Sequence, residues 1–210
     1  MIKKNWKLLL LTSVVILLSI FAGLFLWNRL PEQVPIHWNA AGEVDGWSNK
    51  TMAVFGMPTL MLAIQWLMVF ALSADPKRQN HSQKVLYLAF WLIPVLNTIV
   101  MTITYGTAMG GKLRVEVLLP VLLGLPFVGI GNYLPKCQQN YTIGIKIPWT
   151  LNSEENWNKT HRVAGFVWVV GGLLMMLSGF FASFWPLPIV TLLMVLIPLI
   201  YSYVLHRKGV

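Results

Sequence analysis

Residues 8–27, LLLLTSVVILLSIFAGLFLW, run for twenty positions without one charged side chain. A bilayer's hydrocarbon core is about 30 Å thick and a helix rises about 1.5 Å per residue, so this run is long enough for one crossing. In hydrocarbon no water bonds the backbone N–H and C=O groups, and a lone continuous run satisfies them internally only as a helix. The same reasoning picks out five further segments: 52–72, 85–105, 113–131, 163–184 and 187–205. The expected fold class is therefore all-α: a polytopic membrane protein, a bundle of six transmembrane helices.

Composition agrees. The chain of 210 residues is 56% hydrophobic and 11% charged, with mean hydropathy +0.64, whereas soluble domains carry about 25% charged residues. Segment 113–131 is barely long enough and carries Glu116, Pro120 and Pro126. At the start, Lys3, Lys4 and Lys7 imitate a signal peptide. The apolar run is longer than a typical signal core and ends in Trp27-Asn28-Arg29-Leu30-Pro31 rather than small residues, so an uncleaved anchor is expected.

Charge sets the expected orientation. Placing alternate connections in the cytoplasm collects Lys3, Lys4, Lys7, Lys77, Arg78, Lys84, Lys136, Lys146, Lys159, Arg162, Arg207 and Lys208 there, twelve of the sixteen basic residues. Arg29, Lys50, Lys112 and Arg114 remain outside. The excess of Lys and Arg on inner loops predicts cytoplasmic N- and C-termini. It also accounts for the net charge of +9 without a nucleic-acid partner, since no basic stripe with interleaved aromatics is present. Trp6, Trp27, Trp47 and Trp185 fall near predicted helix ends, the depth indoles favour. Cys137, the single cysteine, has no partner for an internal disulfide and no metal-ligand spacing, and is expected to be inert.

Three regions follow: 1–72, a helix pair around an extracytoplasmic loop at 28–51; 73–112, a central helix with its connections; and 113–210, the last helices around a cytoplasmic loop at 132–162. Only those two loops have room for function. The outer one contains PEQVPIHWNAAGEVDGW, residues 31–47. His37 and Asp45, with Glu32 and Glu43 near, are zinc-ligand types. A His eight positions from an Asp lacks the helical spacing of H-E-x-x-H, however, and His37 is the one strong ligand where three are needed. His37 and Asp45 are thus weak metal candidates, and no metal or cofactor is expected. The structural alternative is Asp45-Gly46 as a turn, Pro31 and Pro35 stiffening the chain, and Trp38 and Trp47 resting on the membrane.

The inner loop reads GNYLPKCQQNYTIGIKIPWTLNSEENWNKTHRVAG over residues 131–165. Asn152 with Glu155 three positions on predicts a helix start, and on a helix from about Ser153 the side chains of Trp157 and His161 are i, i+4 neighbours with Arg162 alongside. Two readings stand side by side. One is a grip on a lipid phosphate, a peptide or a soluble partner. The other is an interfacial amphipathic helix with Trp157 in the headgroups, Lys159 and Arg162 on anionic lipids, and Glu154 and Glu155 at the positive helix end.

GNYLPK, NYTIGIKIPWTL and the W-x-x-THR-x-x-G pattern from Trp157 resemble the C-terminal signature of the SdpI family of bacterial membrane immunity proteins. The outer stretch is similar to that family's N-terminal signature, P-x-x-V-P-x-HW-x-x-x-G-x-x-D. Many members have Gly-Ile-Arg-x-Pro-Trp where this chain has Lys146, an ammonium in place of a guanidinium, which keeps the charge and loses the bidentate fork. The resemblance implies protection against a membrane-acting peptide toxin, coupled in some members to signalling. It implies Asn132, Asn140, Gly144, Lys146, Pro148, Trp149, Thr150, Trp157, Thr160, His161 and Arg162 as inner signature positions, and Pro35, His37, Trp38, Gly42 and Asp45 as outer ones.

The expected function is a membrane immunity protein of the bacterial plasma membrane that intercepts a peptide toxin. Glu32, Pro35, His37, Trp38, Asn39, Gly42, Asp45 and Trp47 form the recognition loop, and a cytoplasmic regulator is a candidate partner for 132–162. Catalytic residues are not expected: no nucleophile elbow or P-loop is present, and His37 and His161 fall on opposite sides of a bilayer about 30 Å thick. Within the spans, Gln65, Asn97 and Glu116 are the polar residues to explain, Asn97 as a bond to a neighbouring helix. The alternatives are a membrane hydrolase or lipid-modifying enzyme, and a sensor that recruits a cytoplasmic regulator.

Overall fold

A computed structural model describes residues 2–39, 42–111, 114–181 and 185–210, with side chains from residue 4 onward. Helix α1 spans Ile2–Phe25, strands β1 and β2 span Gln33–Trp38 and Val44–Asn49, and a π-helical turn at Met52–Gly56 leads into α2 at Met57–Ala74. Then follow α3 (Gln83–Ala108), α4 (Val115–Tyr133), the short α5 (Pro148–Asn152), α6 (Glu154–Phe180) and α7 (Pro186–Arg207). Six of these stretches are long and apolar enough to cross a membrane: Lys4–Phe25, Met52–Ala74, Gln83–Ala108, Val115–Lys136, Glu154–Phe180 and Pro186–Arg207. Their outward faces carry exposed Leu10, Phe21, Leu67, Phe70, Phe166 and Ile189. Apolar side chains turned away from the protein suit lipid as the surrounding solvent.

Two expectations need correction. The outer stretch is a β-hairpin, so the helical fold carries a small antiparallel sheet. Asp45 and Gly46 are not its turn. They lie inside β2, and past the strand ends the Asn39 N–H donates to the Glu43 carbonyl at 2.9 Å and Gly42 adopts φ +79°. Cross-strand pairing has overridden the local turn preference of Asp-Gly. Pro35, which cannot donate to a sheet ladder, sits beside the register shift between Pro35 and His37, where a strand tolerates it.

The second correction concerns α6. The helix expected from about Ser153 does begin there, at Glu154, and runs without a break into the apolar crossing that the hydropathy marks from 163, while the capping residue differs from the expected one. Its cap is Ser153, whose Oγ accepts from the Asn156 N–H at 3.1 Å. Asn152 instead ends α5. The expected segment ends at Leu113 and Phe184, and the basic residue Lys112, lie outside the described residues.

The chain forms two compact units, Met1–Phe70 with Ala89–Leu118, and Ala71–Leu88 with Leu119–Val210. In the first, Leu9, Val69 and Phe90 make one buried cluster and Leu30, Val54, Met101 and Tyr105 another. Polar groups tie α1 to its neighbours: Gln65 Nε2 donates to Thr12 Oγ1 at 2.6 Å, and Asn97 Nδ2 to Ser19 Oγ at 3.2 Å. Asn97 therefore bonds a neighbouring helix. In the second unit α4 meets α6 through glycines. A Cβ on Gly124 would lie 2.5 Å from the Gly172 carbonyl oxygen, and one on Gly165 would lie 2.8 Å from that of Gly131. The paired glycines, about two turns apart on each helix, let the backbones approach as no larger residue would.

Candidate functional site

In the first unit the hairpin presents the outer candidates. His37 and Asp45, on facing strands, pair Nδ1 to Oδ1 at 2.5 Å, with 70% and 43% of their side chains exposed. Gly46 faces His37 across the strands; a Cβ there would come within 2.9 Å of the His37 Cβ. Glu32 does not join the pair, for it bonds Lys50 at 2.9 Å, and Lys50 also donates to the Trp27 carbonyl at 3.3 Å. Glu43 is held at the turn by Asn39 Nδ2 at 3.1 Å. At the tip, Gly42 lies against the first turn of α4, where a Cβ would be 3.1 Å from the Glu116 Cβ. Glu116 itself is near the helix start, paired with Arg114 at 3.3 Å.

Among the described residues no three His, Cys, Asp or Glu side chains converge as a metal site. What the hairpin offers is a surface. Trp47 is 55% exposed, Trp38 is half-buried, and Pro35, paired with Trp47 across the strands, is buried. An exposed ion pair such as His37–Asp45 is worth about 0–1 kcal/mol in stability.

The inner signature in the second unit is built differently. Asn140 Oδ1 accepts the Thr142 and Ile143 amides at 2.9 and 2.7 Å, curling the chain into Gly144 at φ +110°. The Ile145 N–H then donates to His161 Nε2 at 2.9 Å, while His161 Nδ1 donates to the Trp157 carbonyl at 2.8 Å. With one nitrogen accepting and the other donating, His161 is held as the neutral Nδ1–H tautomer. Its ring stacks on Trp157 at 4.0 Å, and Trp157 donates to the Cys137 carbonyl at 2.7 Å. Thr150 Oγ1 donates to the Ile145 carbonyl and accepts from the Ile147 N–H, and Thr160 bonds Asn156.

Trp157 is therefore fully buried in protein, not lying in headgroups, and His161 is sealed beside it. Asn140, Thr150 and Thr160 are buried as well. Lys146, Pro148, Arg162 and Asn132 are exposed, and Trp149 is half-buried. The grip expected from Trp157, His161 and Arg162 together is not formed: Arg162 alone of the three faces outward. Burial pushes the Cys137 thiol up to about 11, so it is protonated and unreactive near neutrality.

A buried centre with no counterpart in the sequence reading joins this loop. Asp75, just past α2, accepts from the Lys77 amide at 2.7 Å and the Tyr141 amide at 3.0 Å, from the Thr142 hydroxyl, and from His81 Nε2 at 3.2 Å. Both the Asp75 and His81 side chains are wholly buried. Burial alone would raise the Asp75 carboxyl, but the Thr142 hydroxyl, the two amides and His81 outweigh it, and it lies below the usual carboxylate range. Gln139 adds to the clasp, accepting from Lys77 at 2.5 Å and donating to the Thr150 and Leu151 carbonyls at 2.9 Å. The available signal was Asp75-Pro76 closing an apolar run, which looks like an ordinary helix exit.

Residues 136–202, which hold most of this loop, match the SdpI/YfhL protein family. A protein of Bacillus subtilis (strain 168) named Immunity protein SdpI is 27% identical over 209 residues, which cover 98% of this chain and 97% of the relative. The chain is a relative of the SdpI family. Residues 14–62, which include the hairpin, match a domain of unknown function, DUF1648. No solved structure matches the chain. Six apolar helices and the SdpI likeness together make it a multi-pass bacterial membrane protein.

Proposed function

We propose that this SdpI-family relative is a membrane immunity protein that protects its cell from a membrane-active peptide toxin by binding it at the hairpin. The observation that carries the reading is the likeness to Immunity protein SdpI along 98% of the chain. Both termini are assigned to the cytoplasm on the excess of Lys and Arg in alternate connections, which places the hairpin outside.

Exposure supports a division of labour. A side chain that touches a partner must be accessible, and His37, Asp45 and Trp47 are. Trp157 and His161 are not, so they act through the fold. In this mechanism Trp47 and Trp38 give apolar contact, while the His37–Asp45 and Glu32–Lys50 pairs orient the peptide. Each strand of a two-stranded sheet also has an edge without a strand partner among the described residues, along which an extended peptide can add.

The test is survival of a toxin-sensitive strain expressing the chain at matched membrane abundance. Trp47→Ala, His37→Ala and Asp45→Ala are expected to lose protection without losing protein. Full protection by all three would contradict the reading. A second reading, recruitment of a cytoplasmic regulator, draws support from Lys146 and Arg162, exposed and without a carboxylate partner among the described residues. Its test is retention of a soluble partner that Lys146→Gln with Arg162→Gln abolishes. Turnover of peptide or lipid by purified protein, instead of stoichiometric binding, would favour an enzyme.

A further inference from the structure

Of the hairpin's two edges, one is built to accept a further strand. Facing residues of an antiparallel pair alternate between pairs that exchange two hydrogen bonds and pairs that exchange none. Pro35 has no N–H, so its pair with Trp47 is of the second kind. Three positions along, where the alternation requires a bonded pair, the Lys50 N–H donates to the Glu32 carbonyl at 3.0 Å. The N–H and C=O groups of Trp47 and Asn49 therefore point away from β1, along the open edge of β2. Those of Gln33, and the C=O of Pro35, point along the open edge of β1.

The β1 edge is unfit for pairing. Pro35 offers it no donor, the register shift after Pro35 leaves Ile36 without a facing residue, and Val34 and Pro35 are buried. Proline and bulges are how sheets blunt an edge. From Gly46 to Asn49, β2 has neither. Its side chains alternate, with Asp45, Trp47 and Asn49 exposed and Val44, Gly46 and Ser48 half-buried. Among the described residues Trp47 makes no hydrogen bond outside the sheet.

We propose that the open edge of β2 pairs with an extended segment of a basic peptide, bonded main chain to main chain at Trp47 and Asn49. Its side chains alternate as those of β2 do, an apolar one beside Trp47 and a basic one beside Asp45. The inference rests on the immunity reading and names the form in which the toxin is held. Charge selects the occupant. Residues 31–49 hold Glu32, Glu43 and Asp45 and no Lys or Arg. Lys50 offsets Glu32, while Asp45 Oδ2 has no partner among the described residues. A second copy of the chain would bring two such acidic stretches together, whereas a basic strand neutralises one.

The experiment replaces one backbone N–H by an ester oxygen, with the α-hydroxy analogue of tryptophan at position 47 or of glutamine at position 33. The full chain is expressed at matched membrane abundance in cells challenged with the peptide that kills the unprotected strain. Each variant keeps its side chain and loses one outward donor, on β2 or on β1, and each ester weakens the carbonyl before it, a cost the two share. We expect the ester at 47 to lower the killing concentration about tenfold, as loss of one hydrogen bond would, and the ester at 33 to leave it at the wild-type value. Asp45→Lys, which repels a basic strand, should lower it further than Asp45→Ala. The melting temperatures of the two ester variants are the folding control and should agree. Wild-type protection with the ester at 47, equal loss at 33 and 47, or a lower melting temperature at 47 alone would each overturn the proposal while leaving toxin binding by hairpin side chains intact. Asp45→Lys no worse than Asp45→Ala would overturn the basic partner. A two-chain mass in native mass spectrometry that the ester at 47 reduces to one chain would assign the edge to a second copy and overturn the proposal too. A wild-type chain that gives no protection would overturn the immunity reading itself, and this inference with it.

Discussion

The backbone N–H of Ile145 donates to Nε2 of His161 at 2.9 Å, so a histidine of the THR motif is an anchor for the loop that precedes α6. Gly144 completes the fit, because a Cβ there would stand 2.3 Å from the same nitrogen. His161→Ala strands a buried amide and opens a hole against Trp157, for a loss of about 2–4 kcal/mol. Gly144→Ala at φ +110° should be similarly damaging. Thermal melts of both single variants and the double variant check this. We expect the double variant to lose less than the sum, since each change destroys the same junction.

Asp75 makes the clasp acid-sensitive. Its folded carboxyl titrates below its unfolded value, so it contributes stability that is fully present above the unfolded range. That contribution is lost as pH falls through the folded value, with onset below about pH 4. Melting temperature followed from pH 6 downward should fall in the wild type. Asp75→Asn should start about 1–3 kcal/mol less stable and show a flatter acid limb. An unchanged acid limb would remove Asp75 from the explanation.

The six crossings are legible in the sequence because lipid demands length and apolarity from every span, and the charge excess gives them an orientation to test. The hairpin is not legible. Pro35 and Asp45-Gly46 are poor strand signals, and only pairing of β1 with β2 overrides them. The Asp75 clasp is hidden for another reason: Tyr141 and Thr142 lie far along the chain from it, and no local period marks such a bond. His161, Trp157 and Thr150 were visible as a pattern, yet whether they face a ligand or the protein depends on packing that spacing does not encode.

Cys137 should be silent. With its thiol buried and pushed up to about 11, N-ethylmaleimide at pH 7.5 is expected to modify the unfolded protein and leave the folded one almost unlabelled. Rapid labelling of folded protein would contradict the burial. Silence leaves the wild-type background clean for cysteines introduced to map which side of the membrane each loop occupies.

The α4–α6 crossing tolerates no added side chain. Gly172→Leu drives atoms into the Gly124 carbonyl, 2.7 Å from the position of a bare Cβ. Overpacking of this kind costs about 1–3 kcal/mol, and we expect a lower melting temperature and reduced folded yield. Leu substitution at the exposed Leu173 neighbour Val170 is the control, with little change expected.

The hairpin variants separate contact from scaffold. His37→Ala removes an exposed pair worth at most about 1 kcal/mol, so its melting temperature should stay close to that of the wild type while protection falls. A stability loss matching that of His161→Ala would make His37 another structural residue.

The most direct measurement places a photo-crosslinking amino acid at position 47 or at position 146 in cells challenged with the peptide that kills the unprotected strain. We expect the peptide to crosslink at 47, beside His37 and Asp45, and not at 146. Crosslinking at 146 with none at 47 would contradict binding at the hairpin.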